Sequence, residues 1–146
     1  MSLLIEDNDL IDIKVYYRAR KSKSGAKRVE VLTPEKAKEM LADDEKKDQV
    51  DEANFKCKQP AWADQNRLFA DSSRYNPQTG KETTDWSVYS DLQLKSSIVD
   101  WDLKDDNDRE IPVSEDYIDR LPANIASEIL AQYRKAVLIG DDEGEG

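Results

Sequence analysis

Ile11, Ile13, Val15 and Tyr17 alternate with Asp12, Lys14, Tyr16 and Arg18, which is the period of a strand with one buried face. Val29 and Val31 repeat the alternation, and the intervening KSKSGAK carries Gly25 for a turn. The pattern predicts a β-hairpin over residues 11–32. Thr33, Pro34 and Glu35 then combine a side-chain cap, a proline at the first helical position and an acid near the positive end of the helix dipole. A helix is predicted over 34–52, with Ala37, Met40 and Leu41 as a narrow apolar stripe and an exposed second half rich in Asp and Lys. Phe55 and Cys57 alternate with Lys56 and Lys58, giving a short third strand stopped by Pro60.

Beyond Pro60 the period changes. Trp62, Asn66 and Phe69 fall near helical spacing, and the segment closes at SSRYNPQTG, where Asn76, Pro77 and Gly80 are turn residues. From Thr83 or Thr84 onward, Trp86, Val88, Tyr89, Leu92, Leu94, Ile98, Val99 and Trp101 cover more than one helix face, which predicts a largely buried central helix. The aromatics Trp62, Phe69, Trp86, Tyr89 and Trp101 are expected to fill the core around it, a partner groove being the alternative. Ser114 caps a further helix with Glu115 and Asp116 in its first turn and a Val113/Ile118 staple. Pro122 opens the last helix, in which Ile125, Ile129, Leu130, Tyr133 and Val137 lie near one face, and Gly140 ends it. The whole reads as an α+β fold: an N-terminal β-hairpin plus a short third strand, followed by a mostly helical part over 55–138. Residues 1–139 are expected to form one small domain, and 140–146, with four acids and no apolar residue, a disordered acidic tail.

Composition narrows the function classes. The 146 residues carry 22 Lys and Arg against 32 Asp and Glu, a net charge of -10, which disfavours nucleic acid and anionic membranes as partners. Against that background Arg18, Arg20, Lys21, Lys23, Lys27 and Arg28 place six cations at the hairpin tip without one acid. A solvated tip is the ordinary reading, and a finger that docks an acidic surface is the sharper one. With no histidine, the usual general base and metal ligand are missing, and the five glycines form no phosphate loop. Asp105 to Asp108 invites comparison with a calcium loop, but Arg109 takes the fifth position, Glu110 the glycine position and Asp116 the closing position. No enzyme activity, cofactor or metal is expected. The single Cys57 is expected to be a core residue in a protein of a reducing compartment. No apolar run approaches the ~20 residues of a membrane span, and the acidic start has no signal-peptide character.

One stretch carries a resemblance. From Phe55 to Ala136 the order is an extended FKCK segment, a helix with an early Trp, a polar loop, a helix ending in IVDWDL, an acidic turn, IPVSE, a Leu-Pro step and a final amphipathic helix. This order resembles that of the small tail assembly chaperones of tailed bacteriophages, although Arg109 and Glu110 stand where a glycine often follows the turn. The resemblance implies a non-enzymatic protein of the host bacterial cytoplasm that binds the tape measure protein or the tail tube subunit during assembly. On that reading the apolar faces Ile118/Leu121 and Ile125/Ile129/Tyr133 frame a client groove, and Lys21 and Lys23 are further candidate contacts. The alternative is a virion structural subunit of neck, baseplate or head decoration, its finger and tail touching neighbours; a DNA-mimicking acidic regulator stands behind both. Self-association is compatible with either of the first two.

Overall fold

The computed structural model describes residues 1–139, with side chains through Val137, so the expected tail over 140–146 lies outside the described residues. The fold is α+β, its sheet drawn mainly from the N-terminal part and its helices lying toward the C-terminus. Strands β1 (Leu10–Lys21), β2 (Lys27–Leu32), β3 (Asp51–Lys58) and β6 (Ile98–Trp101) form one antiparallel sheet in the order β2-β1-β3-β6. The long β1 pairs with β3 along its first half and with β2 along its second, so Ile13 faces Phe55 and Tyr17 faces Val31. The predicted alternation holds: Ile13, Val15, Ala53, Phe55 and Cys57 point into the core, while Asp12 and Lys14 face solvent and pair with Lys56 and Glu52 at 2.9 Å.

The helix α5 (Ala123–Arg134) lies across the core side of the sheet. Ile125, Ile129 and Tyr133 recur at helical spacing, which puts all three on the buried face, with Ile129 fully buried. Burying such a side chain contributes about 1.5–3 kcal/mol. Ile118 of the short helix α4 (Glu115–Asp119) joins them beneath a Ser114 cap, whose hydroxyl accepts the Tyr117 N–H at 3.2 Å. Polar side chains pin α5 at three strands: Asn124 Nδ2 donates to the Val29 carbonyl (2.6 Å), Gln132 Nε2 to that of Lys14 (2.9 Å) and the Tyr133 hydroxyl to that of Lys58 (3.1 Å). The first two meet carbonyls at strand edges that lack a strand partner there, which blunts those edges against further pairing.

Three expected boundaries move. The helix expected over 34–52 is only α1 (Pro34–Leu41), capped by Thr33, followed by a turn and a 3-10 segment at Lys47–Gln49. No apolar position between Ala42 and Gln49 offers a face to bury, and Asp43 and Asp44 sit at the negative end of the helix dipole, where acids are unfavourable. β3 is correspondingly longer than the Phe55–Cys57 alternation suggests, because Asp51 and Glu52 extend it opposite Tyr17 and Tyr16. The expected central helix also stops early: α3 runs Trp86–Ser97, and Ile98–Trp101 is the edge strand β6. The Ser96 and Ser97 hydroxyls bond back to the Gln93 and Leu94 carbonyls (3.3 and 3.2 Å), and β-branched Ile98 and Val99 follow, so the helix gives way to extended chain.

The IVDWDL motif thereby gains a structural reading. Trp101 meets Phe55 edge-on at 6.2 Å and donates its indole N–H to the Ile111 carbonyl (2.6 Å), while Asp102 accepts both the backbone and side-chain N–H of Asn54 on β3 (2.8 and 2.7 Å). In the acidic turn, Asp105 spends its carboxylate on the Asn107 and Arg109 N–H groups. Ile129→Ala is expected to cost about 2–5 kcal/mol in a urea titration, whereas Val99→Ala, on the half-exposed side of β6, is expected to cost under about 1 kcal/mol.

Candidate protein-binding surface

The groove expected between the last two helices does not form. Ile118, Ile125, Ile129 and Tyr133 are all at or below 5% exposed and belong to the central core with Ile13, Val15, Phe55 and Cys57; Leu121 is half-buried against the same cluster. What looked like two client-facing stripes are two helices facing one sheet. Burial pushes the Tyr133 hydroxyl well above the usual phenol range. Burial likewise pushes the Cys57 thiol up to about 12, consistent with a small apolar core residue and far from an activated nucleophile.

The aromatics expected to fill the core lie elsewhere. Trp62 is 80% exposed, Trp86 63% and Phe69 41%, while Tyr89 is buried and Trp101 half-buried. Helix α2 (Trp62–Asp71) buries Leu68 and turns Trp62, Gln65 and Phe69 outward along one side, at offsets of three and seven residues. Its first turn is held by Asp64, whose carboxylate accepts the Ala61 N–H at 2.9 Å. Across from it, α3 presents Trp86, Tyr89, Ser90 and Gln93. Tyr89 is the keystone of the pair: its ring packs on Trp86 (centroids 5.1 Å) and on Phe69 (5.2 Å), and its hydroxyl accepts a 2.8 Å hydrogen bond from Gln65 Nε2. Arg134 of α5 reaches the same place, donating to Gln93 Oε1 and Ser90 Oγ at 2.8 Å each. The result is an open cleft of roughly 480 Å³ with Phe69 and Trp86 on its walls.

A hairpin that sequence reading recognised only as a turn holds the two helices at this spacing. Strands β4 (Ser73–Asn76) and β5 (Lys81–Thr84) join α2 to α3, and Gly80 supplies the positive φ that its turn requires. At its base the Asp85 N–H donates to the Ser72 carbonyl (2.7 Å), the buried Ser72 hydroxyl donates to Leu68, and Arg74 pairs with Asp85. Asp85 also caps α3, accepting the Ser87 and Val88 N–H groups at 3.1 and 3.2 Å. Because Asp85 is the cap, Trp86 falls at the first helical position, where the opening turn leaves its indole uncovered. The capping carboxylate of Asp85 thus moves the helix start from the expected Thr83 or Thr84, which belong to β5, to Trp86.

Lys21 and Lys23 stand on a different element, the exposed tip of the β1–β2 hairpin. The cleft contains none of Ile118, Leu121, Ile125, Ile129, Tyr133, Lys21 and Lys23, but it brings together Phe69, Trp86 and Tyr89 from the aromatics whose alternative reading is a partner groove. Among the described residues no group of acids or sulfur ligands is arranged to hold a metal ion, and no helix is long and apolar enough to cross a membrane.

Asp85 links cleft geometry to pH. Its bonds to the Ser87 hydroxyl, to the Val88 N–H and to Arg74 hold its carboxyl down at about 2, against an ordinary 3.8. A depressed carboxylate stabilises the folded state above its ordinary value and loses that contribution as pH falls through its folded value. Asp85→Ala is therefore expected to melt below the parent at neutral pH, and the gap to close between pH 3.8 and about 2 in thermal melts followed by circular dichroism.

Comparison of the chain with protein-family models, with curated proteins and with solved structures finds no match in any of the three.

Proposed function

We propose that the chain is a non-enzymatic assembly chaperone of a tailed bacteriophage, holding an apolar helical segment of the tape measure protein or of the tail tube subunit while the tail is built in the host cytoplasm. The observation that carries this reading is the pair of helices α2 and α3 turning Phe69 and Trp86 to solvent on the walls of a cleft, with Trp62 exposed elsewhere on α2. Large aromatics left exposed beside one another mark an interaction surface, and a cleft between two helices suits the apolar stripe of a third. The rigid rings offer contact area at small entropic cost, and Arg134 on the cleft wall, held by Gln93 and Ser90, supplies a cation for a client backbone end. A net charge of -10 keeps such a complex soluble.

The order of sequence motifs from Phe55 to Ala136 supports the phage setting by its resemblance to tail assembly chaperones, with IVDW forming a strand after the helix and not its end. The non-enzymatic part of the reading rests on the absence of histidine from the chain and on a Cys57 thiol held at about 12. The cleft replaces the α4–α5 face as the client site, since that face is taken by the sheet.

Co-expression with a tape measure protein of a tailed bacteriophage is the direct test. The parent chain is expected to keep that protein in the soluble fraction, and Phe69→Ala/Trp86→Ala to lose at least about tenfold in affinity for it with an unchanged fold by circular dichroism. Equal capture by parent and variant removes the cleft from the proposal. The chain is also expected to be absent from purified particles; presence there at fixed stoichiometry overturns the chaperone reading in favour of a structural subunit.

A further inference from the structure

The tip of the β1–β2 hairpin is an electrostatic arrangement that the fold does not itself use. Arg18 belongs to the root: it is half-buried, and it donates to Glu30 (2.7 Å) and to Gln49 (3.1 Å). Arg20 makes only a long contact with Glu30 at 3.8 Å. Lys21, Lys23, Lys27 and Arg28 are exposed and have no ion-pair partner among the described residues. The strand register makes the crowding worse. Arg20 lies directly opposite Arg28, and Lys21 directly opposite Lys27, so two successive rungs of the ladder pair cation with cation. Like charges facing across a strand pair oppose folding.

This tip is nevertheless well formed. Gly25 adopts φ +89° in the turn, Ser22 and Ala26 close it with a 2.8 Å backbone bond, and the Ser22 hydroxyl accepts the Ala26 N–H. Successive rungs point to opposite faces, so Arg20 and Arg28 charge one side of the ribbon, Lys21 and Lys27 the other, and Lys23 the end. Six of the chain's 22 cations stand in residues 18–28, leaving the remainder of the chain at -16. The finger is a local inversion of the molecule's charge.

From these observations we infer that the finger is a docking site for an acidic peptide segment of a partner protein, distinct from the aromatic cleft. A carboxylate brought beside either rung relieves its like-charge crowding, which turns a cost of the free protein into a gain of the complex. An acidic segment wrapped around the tip meets Arg20 and Arg28 on one side, Lys23 at the end and Lys21 and Lys27 on the other. Recognition is by side chains and not by strand addition at Val29, whose outward carbonyl is already occupied by Asn124. A long polyanion is disfavoured because it meets the -16 remainder of the chain, and the tip carries no aromatic on which bases stack.

The probes are a fluorescently labelled glutamate-rich peptide and a short DNA duplex, titrated with the full chain at low and at physiological ionic strength. The parent is expected to bind the peptide more tightly than the duplex, and more weakly as salt rises. Lys27→Glu/Arg28→Glu is expected to weaken peptide binding at least about tenfold. The same variant is expected to match or exceed the parent's thermal midpoint, because each new carboxylate faces Lys21 or Arg20. Arg67→Glu/Lys81→Glu, an equal change of charge on exposed positions of α2 and β5, is expected to stay within about twofold of the parent in peptide affinity. Tighter binding of the duplex overturns the inference. So does equal weakening by both variants, or a salt-sensitive self-association that Lys27→Glu/Arg28→Glu abolishes while the peptide fails to bind.

Discussion

The structure depends on one helix lying across one strand pair. Ile125, Ile129 and Tyr133 of α5 close over Ile13, Val15, Phe55 and Cys57, and three polar side chains of the same region grip carbonyls of β2, β1 and the end of β3. The apolar contacts supply the burial, and the hydrogen bonds fix where along the sheet it occurs. With 37% charged residues the chain has few apolar side chains to spare, and this core takes Ile13, Val15, Leu94, Ile98, Ile118, Ile125 and Ile129. What remains, the bulky aromatics of α2 and α3, is left over for another surface.

That division of labour explains which parts of the molecule were legible beforehand. The hairpin was legible because Ile, Val and Tyr at every second position admit only one buried face, and the register then follows. Caps at Thr33 and Ser114 were legible because a hydroxyl before Pro-Glu or Glu-Asp has few other uses. The segment from Trp86 to Trp101 was not. Its apolar residues fit a helix read as one piece, and the break at Ser97 depends on hydroxyls folding back on their own turn and on Trp101 finding Phe55, a contact between residues far apart in sequence.

The candidate site was legible only as the lesser alternative, for a related reason. Periodicity reports which residues share a face and not whether that face meets the sheet or solvent. Ile118, Leu121, Ile125, Ile129 and Tyr133 have the pattern of a groove and the burial of a core. Trp62 and Phe69 have the pattern of a core and the exposure of a docking surface. Deciding between them requires knowing that the sheet has one helix-covered side already supplied by α5, which is a property of the assembled layers. The basic tip, by contrast, was visible as a run of charge, but its register, cation opposite cation, needed the strand pairing.

The passage from α3 into β6 has a mechanical meaning. Ser97 is the last helical residue and Ile98 the first of the strand, with no loop between them to absorb an adjustment. A helix turns about 100° per residue, so the register of the edge strand sets the rotation of α3 about its own axis. Slipping β6 by one position against β3 would swing Trp86 away from Phe69 and empty the ring of Tyr89 of its neighbours. The bulge at Lys56/Cys57, where Val99 is passed over in the pairing, is thus the adjusting screw of a cleft that it does not touch.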